Sequence, residues 1–319
     1  MASGQYAVLD NRNLIGLFDQ HYETSLNSSW SRGVATPINS DRELENYAWL
    51  GAADSLAVLT GDDKPEKQLN SFTYALRNVE YAVSYRYTEK DLRRDKINQI
   101  EARIQEAAQK AAADHWDALT STAITTNGNA YDGVAFFAAT HAESGTNQIN
   151  ALTSSHISNL DVATAAVPTA DEMAAILPKV IGKFHGFTDD KGDPINGMAR
   201  NFTLVCGTVD IWAAVSHALT AQNLTSGASN QMQGILSRGY TVTPILNPRL
   251  SAQTTKFWMF RNDGPVKAFM HQSEVDIDPQ MTDQSSDEYK KYRRFIFSLY
   301  ASRAVGYGRW QSAIQCTLS

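Results

Sequence analysis

Seven histidines, two cysteines and one tight acidic run are the residues whose types could do chemistry in this chain. Asp189, Asp190, Asp193 and Asn196 superficially resemble an oxygen-rich calcium loop. The spacing is not that of an EF-hand and no glutamate closes it, so the stretch reads as a turn around Gly192 and Pro194. His141 and Glu143 stand two apart in a loop, not on one helix face. His21, His115, His156, His185, His217 and His271 are dispersed, without zinc or metalloprotease spacing. His115 falls in a helical stretch and reads as a satisfied buried or interfacial histidine. Cys206 and Cys316 have no paired spacing, which argues against a disulfide framework, and Cys206 in its apolar run reads as a small buried hydrophobe. Gly306-Tyr307-Gly308 lacks the third glycine of a phosphate loop and follows the wrong element. No nucleophile elbow or Ser/His/Asp signature is present. These patterns assign no catalytic, cofactor-binding or metal-ligating residue. The chain is expected not to be an enzyme and to need no cofactor.

Composition narrows the class further. The 319 residues are 43% hydrophobic, enough to bury a sizeable core and long enough for two domains. The net charge of -6 is unlike a protein that grips nucleic acid by its phosphates, so any such contact must be local. The N-terminal MASGQYAVLD lacks a basic region followed by an apolar run, and no stretch approaches the ~18 apolar residues of a membrane span. A soluble protein made in a cytoplasm, without a membrane partner, is expected.

One stretch must position whatever the chain builds. Thr88 to Ala123 contains no glycine or proline, and Thr88 with Asp91 is spaced as a capping box. Ile97, Ile100, Ile104, Ala107, Ala108, Ala111, Trp116 and Leu119 recur at three-and-four spacing, which predicts one helix ~50 Å long. Arg93, Arg94, Glu101 and Arg103 fall on its charged side. Before it, Tyr81, Val83, Tyr85 and Tyr87 alternate with smaller or polar residues as a strand. Residues 44–87 therefore read as an extended excursion with a polar tip at 61–68. Residues 1–43 show only one short amphipathic segment, at Leu14, Ile15, Leu17, Phe18 and Tyr22, and read as an arm that lies on a neighbour. Residues 124–168 are irregular, and Phe136 and Phe137 demand a hydrophobic pocket or another subunit. Residues 169–270 read as a separate α/β unit. A capping box at Thr169 and Glu172 opens a helix that Pro178 should kink or break. Strands are expected at 202–206, 240–246 and 256–260, with a helix capped at Thr208 and apolar at Ile211, Trp212, Val215 and Leu219. Arg294 to Ala304 alternates with apolar or aromatic residues on both faces, which predicts a central strand.

The order of these parts resembles the major capsid protein of tailed phages, and more narrowly the Mu-type major head subunit family. The resemblance rests on Leu76-Arg77-Asn78-Val79-Glu80-Tyr81 leading into the helix, and on Asp132-Gly133-Val134-Ala135-Phe136-Phe137 followed by His141. It rests also on Asn201-Phe202-Thr203-Leu204-Val205, on Tyr240 to Leu250 with Trp258, and on Tyr292, Phe295, Tyr300, Arg303 and Gly306-Tyr307-Gly308-Arg309-Trp310. It implies an α+β fold, the tailed-phage (HK97-type) capsid fold. Its expected layout is an N-terminal arm (1–43), an E-loop (44–87), a peripheral domain on a spine helix (88–168, with closing strands at 271–319) and an axial domain (169–270). It further implies a prophage or phage virion protein, assembled in the bacterial host cytoplasm. Hexamers and pentamers would form an icosahedral shell around double-stranded DNA, contacted non-specifically. A separate scaffolding protein, a portal and decoration proteins are the implied partners. Some relatives cross-link through an E-loop lysine, and Lys64 and Lys67 lie at the tip here, although lysines at a loop tip ordinarily serve solubility. An encapsulin-like compartment of the same fold is the alternative, and a soluble α+β enzyme is a more distant one.

Overall fold

The computed structural model describes residues 3–50, 71–94, 99–143, 145–189, 191–225 and 227–319. The chain opens with α1 (Ser3–Leu26), a short α2 (Ser31–Val34) and β1 (Ala35–Asn39). A hairpin of β2 (Leu44–Leu50) and β3 (Ser71–Arg77) follows, paired from Leu44↔Arg77 to Leu50↔Ser71. The tip between these strands, with Lys64 and Lys67, lies outside the described residues. β4 (Val79–Thr88) then runs into α3 (Glu89–Arg94), α4 (Gln99–Gln109), a π-helical turn at Lys110–Asp114 and α5 (His115–Thr126). The capping box is present: the Asp91 amide donates to Thr88 Oγ1 at 3.1 Å, and the Thr88 amide to Asp91 Oδ2 at 3.2 Å.

The long helix differs from the sequence expectation in register and end point. It stops at Asn127, whose φ of 49° is left-handed, rather than at Ala123. Its interior is not uniformly α. At ~100° per residue, Trp116 would lie about 120° around a straight helix from Ile104. The extra residue taken up by a π turn reduces that offset to about 20°. The buried row therefore runs Ile100, Ile104, Ala107, Ala108, Ala112, Trp116, Thr120, Ile124, while Leu119 is only half-buried. Ile97, Arg93 and Arg94 fall where side chains are not described. Glu101 and Arg103 are exposed as expected.

After the helix come the short strands β5 (His141–Glu143), β6 (Thr146–Gln148) and β7 (Ala151–Leu152). Next are α6 (Ala170–His185), β8 (Asn201–Cys206), α7 (Val209–Thr220), α8 (Gln231–Leu236), β9 (Thr241–Leu246) and β10 (Lys256–Arg261). The chain ends with β11 (Phe269–Met281), α9 (Asp287–Tyr292), β12 (Arg294–Tyr307) and β13 (Ala313–Thr317). Two larger sheets result, one ordered β1-β11-β12-β4 and one ordered β7-β13-β10-β8-β9. β12 is central in the first, as its alternation predicts, with Phe295, Phe297, Leu299 and Ala301 buried on one face. The last strand does not close that sheet. β13 pairs antiparallel with β10, and β7 joins it in parallel, so residues 151–152 and 313–317 belong to the α/β sheet. Within the closing stretch 271–319, β11 and β12 lie in the first sheet and β13 in the α/β sheet. β13 is too short for a sequence reading to choose its partner.

Two hydrophobic cores follow. The smaller packs Leu14, Phe18 and Tyr22 of α1 on Ile100, Ile104 and Ala108 of α4 and on Phe297 and Leu299 of β12. The N-terminal segment is therefore a long helix seated on its own chain, not an irregular arm, because the i, i+4, i+8 row Leu14–Phe18–Tyr22 finds a pocket there. The larger core covers the α/β sheet and takes in Phe136 and Phe137 from the irregular stretch. Phe136 lies 5.3 Å from Phe269 and 5.0 Å from Tyr307, so this loop packs inside its own chain. α6 runs unbroken through Pro178. Met173, Ile176, Leu177, Val180, Ile181 and Phe184 are all buried along it, and their packing outweighs the ~3 kcal/mol a helical proline costs. α7 turns Ile211, Ala214, Val215 and Ala218 inward and leaves Trp212 37% exposed, against the expected apolar side. Thr208 occupies its N-cap position without a capping bond.

Candidate functional site

Hairpin, long helix and first sheet meet at the end of β12. Gly306 is glycine because a Cβ there would lie 2.7 Å from Leu76 Cδ2 and 3.2 Å from Tyr74 Cε1. The hairpin base can therefore sit directly on β12. The Tyr307 amide donates to Tyr74 Oη at 3.1 Å, and the Tyr307 hydroxyl donates to Ala123 O at 2.8 Å while accepting the Gly128 amide at 2.7 Å. One tyrosine so ties hairpin, helix end and the following turn together, and its burial raises its pKa. On the neighbouring strand, fully buried Gln272 accepts from Tyr47 Oη at 2.5 Å and donates to Asn78 Oδ1 at 2.8 Å. The Gly-Tyr-Gly run is thus a docking floor for backbone and side chains.

Four residues upstream, Arg303 is fully buried at the π turn. Its guanidinium donates to Ala111 O at 3.0 Å and to Asp276 O, and lies 4.8 Å from the centre of the Trp116 ring. Asp276 Oδ1 is 3.9 Å away, and Tyr22 Oη donates to Asp276 Oδ2 at 2.9 Å. A wide helical turn displaces a carbonyl from the α ladder, where a side-chain donor can reach it. Trp116 stacks on His271 at 4.4 Å, and His271 Nε2 is 3.0 Å from Thr120 Oγ1. Burial, with nearby Arg303 second, pushes His271 down to about 3 and His115 down to about 4. Both imidazoles are neutral at pH 7; His271 lies in a buried belt with Trp116 and Arg303, and His115 is half-buried against Tyr81 at 4.5 Å. In the sequence, Arg303 is only one anchor among several. It lies in phase with Phe295, Phe297, Leu299 and Ala301, and that period-two signal alone points it inward.

The other sequence candidates scatter. His141 is fully buried and stacks on Trp310 at 4.1 Å, with Nδ1 2.6 Å from Asp132 Oδ2 and Nε2 3.2 Å from Phe136 O. It fastens the 127–150 loop to the chain end. Asp189 Oδ1 accepts the amides of Lys191 and Asp193, each at 2.9 Å. Asn196 instead binds Gln311 O and Arg261, so these oxygens do not converge, and Asp190 lies outside the described residues. Among the described residues, no group of three or more His, Cys, Asp or Glu could hold a metal ion. Cys206 and Cys316 are buried and unpaired by disulfide.

A sequence profile described as "Mu-like prophage major head subunit gpT" matches residues 12–178, just over half of the chain. The chain belongs to the Mu-like prophage major head subunit family. This head subunit is a structural protein, and copies of it form the phage-head shell. No curated protein matches the sequence. Its fold is similar to that of solved capsids. Against the procapsid of bacteriophage JBD30 the TM-score is 0.53 at 16% identity, covering 97% of this chain and 75% of that one. Against the capsid of cyanophage P-SCSP1u it is 0.56 at 12% identity, covering 89% and 86%. Against a virus-like particle from Pyrococcus furiosus it is 0.53 at 9% identity, covering 94% and 98%. At these identities the likeness carries the fold alone. The fold is thus the expected α+β capsid fold, and the family match favours a phage head over an encapsulin-like compartment. No helix among the described residues is long and apolar enough to cross a membrane.

Proposed function

We propose that the head subunit assembles as hexamers and pentamers that tile an icosahedral shell around double-stranded DNA. The observation that carries this is an unfinished surface at the hairpin and β4. The hairpin leaves the sheet on a bonded base, and beside it β4 is an edge strand with Val79 50% and Val83 43% exposed. A long strand edge with exposed valines is a template for pairing unless something covers it, and neighbouring copies are the cover this reading supplies.

The layout proposed from this is an N-terminal helix and strand within 1–43 seated on their own subunit, an E-loop at 44–87 and a peripheral domain on the spine helix at 88–168. The axial domain at 169–270 also takes β7 and β13. A separate scaffolding protein, a portal and decoration proteins would be the other partners, with assembly in the bacterial host cytoplasm and DNA contacted without sequence preference. A negative subunit suits a shell that must not clamp its contents. Sedimentation velocity of the expressed chain, alone and with a co-expressed scaffolding protein, tests the reading. Capsomer-sized and larger species are expected, and a monomer under every condition would refute it.

A further inference from the structure

A second feature lies away from the hairpin, on the α/β unit. The loop after β7 and the second half of α6 enclose an open cavity of about 400 Å³ lined by His156, Ile157, Ser158, Lys179, Gly182 and Lys183. Four of these six carry hydrogen-bond donors, and no carboxylate lines the cavity. His156 Nδ1 accepts the Thr153 amide at 3.2 Å, which places the ring proton on Nε2 as a donor. Lys179 is steadied by the neutral side-chain oxygen of Asn159. Lys179 and Lys183 stand one turn apart on α6, a like-charge pair that disfavours the helix when nothing neutralises it. Among the described residues neither enters an ion pair. Gly182 sits between them with nothing within 4 Å of where its Cβ would be, so the floor stays open. In a chain of net charge -6, two unneutralised ammonium groups and two further donors around one cavity fit a tetrahedral oxyanion.

We propose that this cavity binds a phosphate group through Lys179, Lys183, His156 and Ser158. The volume exceeds that of one phosphate and admits a phosphodiester with its flanking sugars. The donor set stands by itself, and only its use on packaged duplex rests on the reading of the chain as a DNA-enclosing shell.

The test uses the full chain and two probes: inorganic phosphate followed by ³¹P line broadening, and a fluorescein-labelled DNA duplex followed by anisotropy at low salt. The variants are Lys179→Gln/Lys183→Gln and, as a control of equal charge change, Lys290→Gln/Lys291→Gln. The first pair should lose phosphate broadening, weaken duplex binding about tenfold and lower the slope of log K on log salt by about 2, with a melting temperature no lower than that of the parent chain. The control pair should change little. Broadening without duplex binding assigns the site to a free oxyanion, and duplex binding assigns it to a nucleic-acid backbone. Binding of neither probe, or an equal loss in the control pair, overturns the proposal. Particle formation by Lys179→Gln/Lys183→Gln separates failure of this site from failure of the shell reading.

Discussion

At Gly306 one hydrogen decides how the hairpin docks. A Cβ there would stand 2.7 Å from Leu76, inside the closest approach that real Cβ contacts reach. Gly306→Ala should destabilise the subunit by about 1 kcal/mol, the low end of overpacking because the Leu76 methyl it meets ends a flexible side chain, read as a lower urea midpoint. The buried histidines give a second test. The folded state holds His271 down to about 3 and His115 down to about 4, below their ordinary 6.5. The unfolded chain therefore binds more protons between these values, and stability falls as pH drops from about 6.5 toward 4. For His271 alone the slope is at most about 1.4 kcal/mol per pH unit. Asp117 works against this at the acidic end, because burial raises its carboxyl and the folded state holds that proton more tightly. Urea midpoints at pH 7 and 5 should differ in the stated direction, and His271→Gln should narrow the gap. Of this belt, the sequence pattern exposes only the inward phase of Arg303. The polar burial of Thr120 and His271 arises from partners 151 residues apart, which no local spacing records.

At the scale of elements, the long helix is the most legible part of the chain. The cap of α3 and the buried face of α4 follow from Thr88, Asp91, Ile100 and Ile104, while residues 95–98 between them lie outside the described residues. The π turn was hidden, because the three-and-four spacing tolerates an error of one residue while the packed face does not. Pro178 and Trp212 mislead for the same reason: propensity and local amphipathicity yield to the tertiary burial of neighbouring residues. The helix account is tested at two positions. Ile104 is fully buried between α1 and β12, so Ile104→Ala should cost about 2–5 kcal/mol and Ile104→Asp should leave no folded subunit. Arg103 is exposed and, among the described residues, pairs with Glu106 at 3.0 Å, so Arg103→Ala should shift stability by less than about 0.5 kcal/mol. Chemical denaturation of the purified variants measures both.

At the scale of the whole molecule, the sequence order of arm, excursion, helix, α/β unit and aromatic strand is enough to indicate the capsid fold. It is not enough to sort the strands. β7 and β13 cross to the α/β sheet through pairings with each other and β10, and only the assembled sheet determines that. The long α1 shows a similar limit, since its seat on α4 and β12 exists only once those elements have folded. Among the described residues the molecule has two cores, with a hairpin base and a strand edge left at its margin. Electron cryomicroscopy of particles made by the expressed chain with its scaffolding protein tests the central claim most directly. Closed shells of hexamers and pentamers are expected, with the β4 edge and hairpin of each subunit against a neighbouring copy. Particles in which that edge and hairpin face only solvent, or a chain that forms no particle under any assembly condition, would contradict it.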